Sequence, residues 1–232
     1  MNGLNVTISG PDGSFTGYLA SPAAGRGPGV VVVQEIFGVN HTMREVADGL
    51  AARGFFALAP DLFWRLEPGV QLGDQSEAEM TRARDLLSRF DRDAGIKDIQ
   101  AALDHLRALP GATGKAGVVG FCLGGYMAYL AACRTDSSAS VGYYGVNIQS
   151  KLEEARTIKT PLMLHIAGHD EHCPPEAQKI LINGLSGNPH ATLHVYPQMG
   201  HAFARPGGAH YDHANADLAN GRTATFLRQH LS

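Results

Sequence analysis

Short unbroken runs of β-branched and apolar residues alternate along the chain with longer amphipathic segments. Such runs predict strands buried on both faces, and an apolar period of 3.6 residues predicts helices. After a predicted edge hairpin, the strands are Val30–Gln34, Phe55–Ala59, Ala116–Gly120, Val141–Tyr144, Pro161–Ala167 and Ala191–Tyr196. The predicted helices are Thr42–Arg53, Ser76–Phe90, Ala94–Leu109, Leu123–Cys133, Pro174–Leu185 and Tyr211–His230. This alternation predicts an α/β fold, with a mostly parallel sheet and helices on both faces. No linker or repeat interrupts residues 1–232, so we expect one domain.

Cys122 follows a predicted strand within Gly120-Phe121-Cys122-Leu123-Gly124. This is the G-x-nucleophile-x-G turn between a strand and a helix, with cysteine in place of serine. A sharp turn exposes the thiol, and the dipole at the start of the following helix favours a thiolate. The alternative is a buried structural cysteine. The segment lacks both the G-x-G-x-x-G and the G-K-S/T nucleotide patterns.

Asp170 follows the predicted strand Pro161–Ala167, and His201 follows the predicted strand Ala191–Tyr196. The order nucleophile, acid, histidine is that of α/β-hydrolases. Three neighbours of Asp170 remain alternatives for the acid or the base: His169, Glu171 and His172. A metal site at residues 169–173 is disfavoured because the spacing lacks H-E-x-x-H and paired Cys-x-x-Cys patterns, so we expect no metal and no cofactor. The pairs His190/His194 and His210/His213 are expected to be solvated.

Glu35 ends a buried strand, and Ile36 and Phe37 follow it. In α/β-hydrolases this loop supplies one amide of the oxyanion hole, which points to Ile36, and the residue after the nucleophile, Leu123, supplies the other. The alternative for Glu35 is an ion pair with Arg44 or Arg53 at the surface.

Composition narrows the class of protein. The net charge is −3, and 44% of the residues are hydrophobic, which argues against a nucleic-acid binder and against disorder. No apolar run is long enough to span a bilayer, and no signal peptide is recognisable. Three cysteines fit a reducing compartment. We expect a cytoplasmic enzyme that acts as a monomer, without a membrane or nucleic-acid partner.

These motifs resemble the dienelactone hydrolase (carboxymethylenebutenolidase) family over nearly the whole chain. The matching segments are Gln34-Glu35-Ile36-Phe37-Gly38-Val39-Asn40, Pro60-Asp61-Leu62, Phe121-Cys122-Leu123-Gly124-Gly125, Gly142-Tyr143-Tyr144-Gly145 and Gly200-His201-Ala202-Phe203-Ala204-Arg205. The resemblance implies an α/β-hydrolase fold.

The resemblance also implies roles for individual residues. Cys122 would be the nucleophile, His201 the base and Asp170 the residue that orients His201. Glu35 would hydrogen-bond the resting thiol and help to ionise it, and Arg205 would bind a substrate carboxylate. Phe37 and Tyr144 would also contact the substrate.

The chain departs from the family pattern on the predicted helix 76–90. Met80 stands where the family has a second arginine that binds a carboxylate, and Arg84 or Arg82 is one turn away as a replacement. Ala202 stands where the family has serine. These departures leave open which acid substrate is used.

The expected substrate is a small, anionic lactone or ester. A thiolate is a better leaving group than an ordinary alkoxide, so a cysteine enzyme favours esters that release a stabilised enolate. For a dienelactone the product would be maleylacetate. Two alternatives use the same thiol: an acyltransferase, or a protein in which Cys122 is a redox switch.

Overall fold

All the predicted strands and helices form, with ends shifted by a few residues. The computed structural model describes residues 3–232. The strands are β1 (Leu4–Gly10), β2 (Gly13–Ala20), β3 (Gly27–Val33), β4 (Phe56–Pro60), β5 (Ala112–Phe121), β6 (Ser140–Tyr143), β7 (Leu162–Ala167) and β8 (Ala191–Tyr196). The helices are α1 (His41–Ala51), α2 (Glu77–Arg89), α3 (Arg92–Arg107), α4 (Leu123–Arg134), α5 (Pro175–Leu185) and α6 (His213–Leu231). A 3₁₀ segment, Ile148–Thr157, was not expected, and its backbone is kinked at Lys151.

The chain divides into two units, Met1–Gly117 and Val118–Ser232. No observation tests the expectation of one domain over 1–232, so it stays a prediction. None of the helices within residues 3–232 has both the length and the apolar character needed to cross a membrane.

The first unit contains the predicted hairpin and the first buried strands. β1 pairs antiparallel with β2, β2 antiparallel with β4, and β3 parallel with β4. The β-branched run Val30–Val33 of β3 is fully buried. Helix α1 begins after Asn40, whose side chain accepts a hydrogen bond from the Met43 N–H, as an N-cap does. The fully buried carboxylate of Asp98 on α3 is paired with the Arg65 guanidinium.

The second unit has four parallel strands in the order β5-β6-β7-β8. Gly142 and Tyr143 are neighbours on β6 and face opposite sides of these strands. A Cβ on Gly142 would lie 2.8 Å from the Gly125 carbonyl of α4, and the Tyr143 hydroxyl lies 2.6 Å from Thr223 of α6. Helices therefore cover both faces of these strands, as predicted. Their carboxyl ends lie at one edge, where ligand sites form in parallel sheets.

Candidate active site

Cys122 occupies the turn between β5 and α4, with φ +55° and ψ −112°. This left-handed conformation is strained for a residue other than glycine, and such strain is typical of functional turns. The close approach of strand and helix demands glycine at position 120, because a Cβ there would lie 1.9 Å from the Gly124 carbonyl oxygen. Helix α4 begins at Leu123, whose N–H is in the first turn and has no partner within the helix.

Asp170 lies in the loop that follows β7, and its side chain is almost fully buried. One carboxylate oxygen is 2.8 Å from Nδ1 of His201, and the other accepts a hydrogen bond of 2.8 Å from the His172 N–H. His201 itself lies in the loop that follows β8. The imidazole of His210 donates a hydrogen bond of 3.0 Å to the backbone carbonyl of His201, so this loop is held from two sides.

The surroundings of His201 favour its protonated form. Burial lowers the pKa of His201, but hydrogen bonds and charges from Asp170 and Cys122 outweigh it and raise the pKa to about 10. Nδ1 is occupied by Asp170, which leaves Nε2 for the Cys122 sulfur. The second unit thus brings Cys122, Asp170 and His201 together in one connected group. The arrangement can hold a thiolate beside an imidazolium.

The structure separates Asp170 from the alternatives around it. Glu171 is exposed and lies 3.6 Å from Nε2 of His172, not against the His201 ring. His169 is also exposed, and its N–H donates to the backbone carbonyl of Met199. The carboxylate in contact with His201 is therefore that of Asp170. The group at residues 169–173 has no metal-binding arrangement, since no cluster of three His, Cys, Asp or Glu in the part of the chain described here could hold a metal ion.

Besides Asp170 and Cys122, two aromatic rings contact His201. Tyr144 has φ +38°, and its ring lies edge-on to His201 with centroids 5.2 Å apart. The ring of His172 is also edge-on, at 4.7 Å. Tyr144 in turn contacts the buried ring of Phe203. The contact of His172 with His201 was not predicted, because nothing in the local sequence gives the direction of its ring.

Arg205 lies in the same loop as His201 and is half-buried. Its N–H donates to the Ala202 carbonyl at 2.9 Å, and Ala202 has φ +61°. A bend of this kind places the arginine one turn beyond the histidine. Its role as a carboxylate ligand stays a prediction.

The remaining candidates belong to the first unit. Glu35 is 3% exposed, so the alternative of an ion pair at the surface with Arg44 or Arg53 is wrong. Phe37 is buried, and its carbonyl accepts a hydrogen bond from the Leu72 N–H. Ile36 is half-buried. The tight bend beside them requires glycine, because a Cβ at position 38 would lie 2.0 Å from a backbone oxygen.

Helix α2 carries the positions at which the chain departs from the family pattern. Met80 is half-buried and Arg84 is exposed. Arg82 pairs with Glu67, so its charge is already partly neutralised. Substrate binding by Arg84 stays a prediction.

Comparison with known proteins agrees with the geometry. The model of the dienelactone hydrolase family matches residues 15–231. A putative carboxymethylenebutenolidase from Azospirillum brasilense is 46% identical over 96% of each chain. A carboxymethylenebutenolidase from Pseudomonas putida is 38% identical over 96% of this chain and 94% of that protein. A crystal structure of a putative dienelactone hydrolase from Klebsiella pneumoniae subsp. pneumoniae superimposes with a TM-score of 0.84, at 26% identity, over 99% of this chain and all of the other.

The protein is thus a hydrolase with the α/β-hydrolase fold, as predicted. Within that class, the chain belongs to the dienelactone hydrolase family.

Proposed function

We propose that this enzyme opens enol lactones of the dienelactone type to maleylacetate, with Cys122 as nucleophile, His201 as base and Asp170 as the residue that orients His201. The observation that carries the proposal is the contact of His201 with both Asp170 and Cys122 at a strained turn between strand and helix. The names of the relatives support the substrate class, since one is named a carboxymethylenebutenolidase and another a putative carboxymethylenebutenolidase.

In the first half of the reaction, the Cys122 thiolate attacks the lactone carbonyl and a C–S bond forms. The Leu123 N–H stabilises the oxyanion, with the Ile36 N–H as the proposed second donor. The ring C–O bond then breaks, and the departing enolate takes the proton from the His201 imidazolium. An alkoxide would be a poorer leaving group than the thiolate, and the reaction would reverse. The choice of cysteine therefore selects activated lactones and esters.

In the second half, neutral His201 removes a proton from water as the water attacks the thioester. The C–S bond breaks, and the thiolate and imidazolium are restored. Acylation removes the negative charge of Cys122, which is one of the causes that raise the pKa of His201. Acylation therefore lowers the pKa of His201, so the imidazolium gives its proton to the departing enolate more readily than it would beside a permanent thiolate. The imidazole is then neutral when water arrives.

Residues of the first unit have proposed roles that rest on the family resemblance. Glu35 would help to ionise the thiol, Phe37 would contact the substrate, and Arg84 would supply the charge that Met80 lacks. If Glu35 activates Cys122, Glu35→Gln should slow alkylation of Cys122 in the presence of a substrate analogue. An unchanged alkylation rate would exclude that role.

Arg205 is proposed to bind the carboxylate of an anionic substrate through a bidentate pair, and Tyr144 to line the same site. Arg205→Ala should raise KM for carboxylated lactones and leave neutral aryl esters almost unchanged. Equal losses on both substrates would contradict the proposal.

The central experiment compares turnover of cis- and trans-dienelactone with p-nitrophenyl acetate. Wild type, Cys122→Ala and the matched control Cys133→Ala would be assayed, since Cys133 is half-buried near the far end of α4. We expect lactone opening by wild type and the control, and none by Cys122→Ala. Turnover of the aryl ester alone would leave the nucleophile in place and reject the lactone. Transfer of the acyl group to added alcohol or thiol in preference to water would favour an acyltransferase.

We also propose that the enzyme acts as a cytoplasmic monomer on a small molecule alone. Light scattering of the purified protein should give the mass of one 24.6 kDa chain. A dimer mass at micromolar concentration would refute the monomer.

A further inference from the structure

A chain of buried polar side chains lies on the face of the second unit that α6 covers. Tyr143, His165 and Tyr196 come from β6, β7 and β8, and all three are almost fully buried. Nδ1 of His165 is 2.8 Å from the Tyr196 hydroxyl, and Nε2 is 2.9 Å from the hydroxyl of Thr223 on α6. The Thr223 hydroxyl is also 2.6 Å from that of Tyr143.

The two ends of this chain fix the direction of its protons. At one end, the guanidinium of Arg222 can only donate, and it does so to the Tyr196 hydroxyl at 3.1 Å. At the other end, the Tyr143 hydroxyl donates to Oδ1 of Asn220 at 3.0 Å. Arg222 and Asn220 both belong to α6, so this series of hydrogen bonds starts and finishes on that helix.

One arrangement of protons satisfies every link between these ends. Tyr196 accepts from the guanidinium and donates to Nδ1 of His165. Nε2–H of His165 donates to Thr223, and Thr223 donates to Tyr143. With the proton on Nδ1 instead, the Tyr196 hydroxyl would accept from two donors, and its own proton would have no acceptor within the chain. The hydrogen-bond network therefore assigns the Nε2–H tautomer to His165.

The same residues adjoin the contacts of His201. The carbonyl of His165 accepts a hydrogen bond of 2.8 Å from the Tyr144 N–H, and Tyr144 directly follows Tyr143. The ring of Tyr196 packs on Phe203, with centroids 4.7 Å apart. Phe203 and Tyr144 touch each other, and Tyr144 lies against His201. The hydrogen-bonded side chains thus support the rings of Tyr144 and Phe203, which lie next to each other beside His201.

We propose that His165 and Thr223 are positioning residues, which hold Tyr144 and Phe203 so that His201 stays aligned with Cys122. The proposal rests on the proposed function of His201 as the base. Helix α6, the last helix in the sequence, would then help to set the catalytic geometry.

The neutral state that this role needs is supported by the surroundings of His165. Burial, with smaller contributions from His194 and Arg222, lowers the pKa of His165 to about 3. The imidazole therefore keeps one donor and one acceptor at neutral pH, as the arrangement requires. His194 is half-buried and its ring stacks at 5.7 Å on that of His165, so the expectation that it is solvated was wrong.

The first test is the tautomer itself, which needs no substrate. Long-range ¹H–¹⁵N correlation of the histidine rings should show Nε2 of His165 protonated and Nδ1 unprotonated from pH 6 to pH 8. Protonation on Nδ1, or an imidazolium at pH 6, would overturn the proposed arrangement.

The second test removes one hydroxyl and then restores it. Thr223→Val removes the hydroxyl that links His165 to Tyr143, while Thr223→Ser keeps a hydroxyl at that position. The matched control is Ala224→Gly on the same helix, which weakens α6 without removing a polar group. We expect Thr223→Val to lower kcat about 10-fold with little change in KM, since small misplacements of a catalytic group have effects of this size. Thr223→Ser and Ala224→Gly should stay within about 2-fold of wild type.

The pH profile of Cys122 alkylation by iodoacetamide separates a positioning role from a purely structural one. In Thr223→Val the profile should shift, because a displaced His201 stabilises the thiolate less. If Thr223→Val and Ala224→Gly give the same kcat and the same profile, positioning is refuted. If His201→Ala leaves the wild-type alkylation profile unchanged, the proposed function fails instead, and the tautomer result still stands.

Discussion

Acidification should destabilise the folded protein through His165. In the folded state, burial beside His194 and Arg222 lowers the pKa of His165 to about 3, whereas an imidazole in the unfolded chain has a pKa of about 6.5. Between these two values the unfolded chain binds a proton that the folded protein does not. The free energy of unfolding therefore falls as the pH falls through this window, and the loss is complete only below the folded pKa.

The size of the effect follows from the two pKa values. Between pH 7 and pH 5, proton binding to the unfolded imidazole lowers the free energy of unfolding by about 2 kcal/mol. This figure hardly depends on the folded value, because at pH 5 the folded imidazole stays neutral for any pKa below about 4. Protonation would also reverse a hydrogen bond from Tyr196, which Arg222 holds in its present direction.

Urea denaturation at pH 7 and pH 5 measures this loss. His165→Gln should be less stable than wild type at pH 7, because Tyr196 and Thr223 lose their hydrogen bonds to the imidazole. Between pH 7 and pH 5, however, its free energy of unfolding should fall by about 2 kcal/mol less than that of wild type. The control is His41→Gln, which replaces an imidazole that is 85% exposed rather than buried. His201 titrates in both proteins, so its contribution cancels in the comparison.

Equal pH dependence of wild type and His165→Gln would refute the reasoning. It would mean that the folded protein accommodates a protonated His165, and the assigned direction of the hydrogen bonds would fail with it. A steeper loss in His165→Gln would have the same meaning.

Three further substitutions have expected outcomes. Asp170→Asn should lower kcat by about 10³-fold, because His201 loses the carboxylate that orients it and helps to raise its pKa; a loss below 10-fold in steady-state assays would exclude that role. Gly125→Ala should lower the free energy of unfolding by about 1–3 kcal/mol, because the new Cβ would lie 2.4 Å from a backbone carbonyl of β6; a melting temperature equal to that of wild type would contradict this. Asp98→Ala should cost about 1–3 kcal/mol, because the indole N–H of Trp64 loses its buried acceptor and Arg65 keeps only its second carboxylate partner, Asp12; urea denaturation that detects no loss would show that these contacts contribute little.

The local pattern of the sequence was sufficient for the elements and for the turn at Cys122. The apolar run Val30–Val33 is buried as predicted, because a β-branched run without polar interruptions has only one stable environment. The turn was recognisable since two glycines flank a nucleophile at fixed spacing. Both signals lie within a few residues of one another, and local sterics are enough to produce them.

The choice between neighbouring side chains was beyond the local pattern. Asp170 and Glu171 are adjacent and chemically alike, and the contact with His201 depends on the path of the loop after β7. For Glu35 the sequence left both a role at the thiol and an ion pair at the surface open, and only the fold shows that its side chain is buried. The hydrogen bond from His210 to the carbonyl of His201 was unforeseen. His210 was expected to be solvated, and that expectation missed this bond because nothing local to it gives the position of the loop.

The sequence by itself determined an alternation of strands and helices and a chemically reactive residue at the ends of several strands, because hydrophobic period and glycine spacing act over short distances. Tertiary structure alone decided which of these side chains meet. Tyr143 and Thr223 are 80 residues apart, yet their hydroxyls lie within 2.6 Å. Such contacts depend on strand register and on how α6 packs, and both are set by the summed burial of many residues rather than by any local pattern.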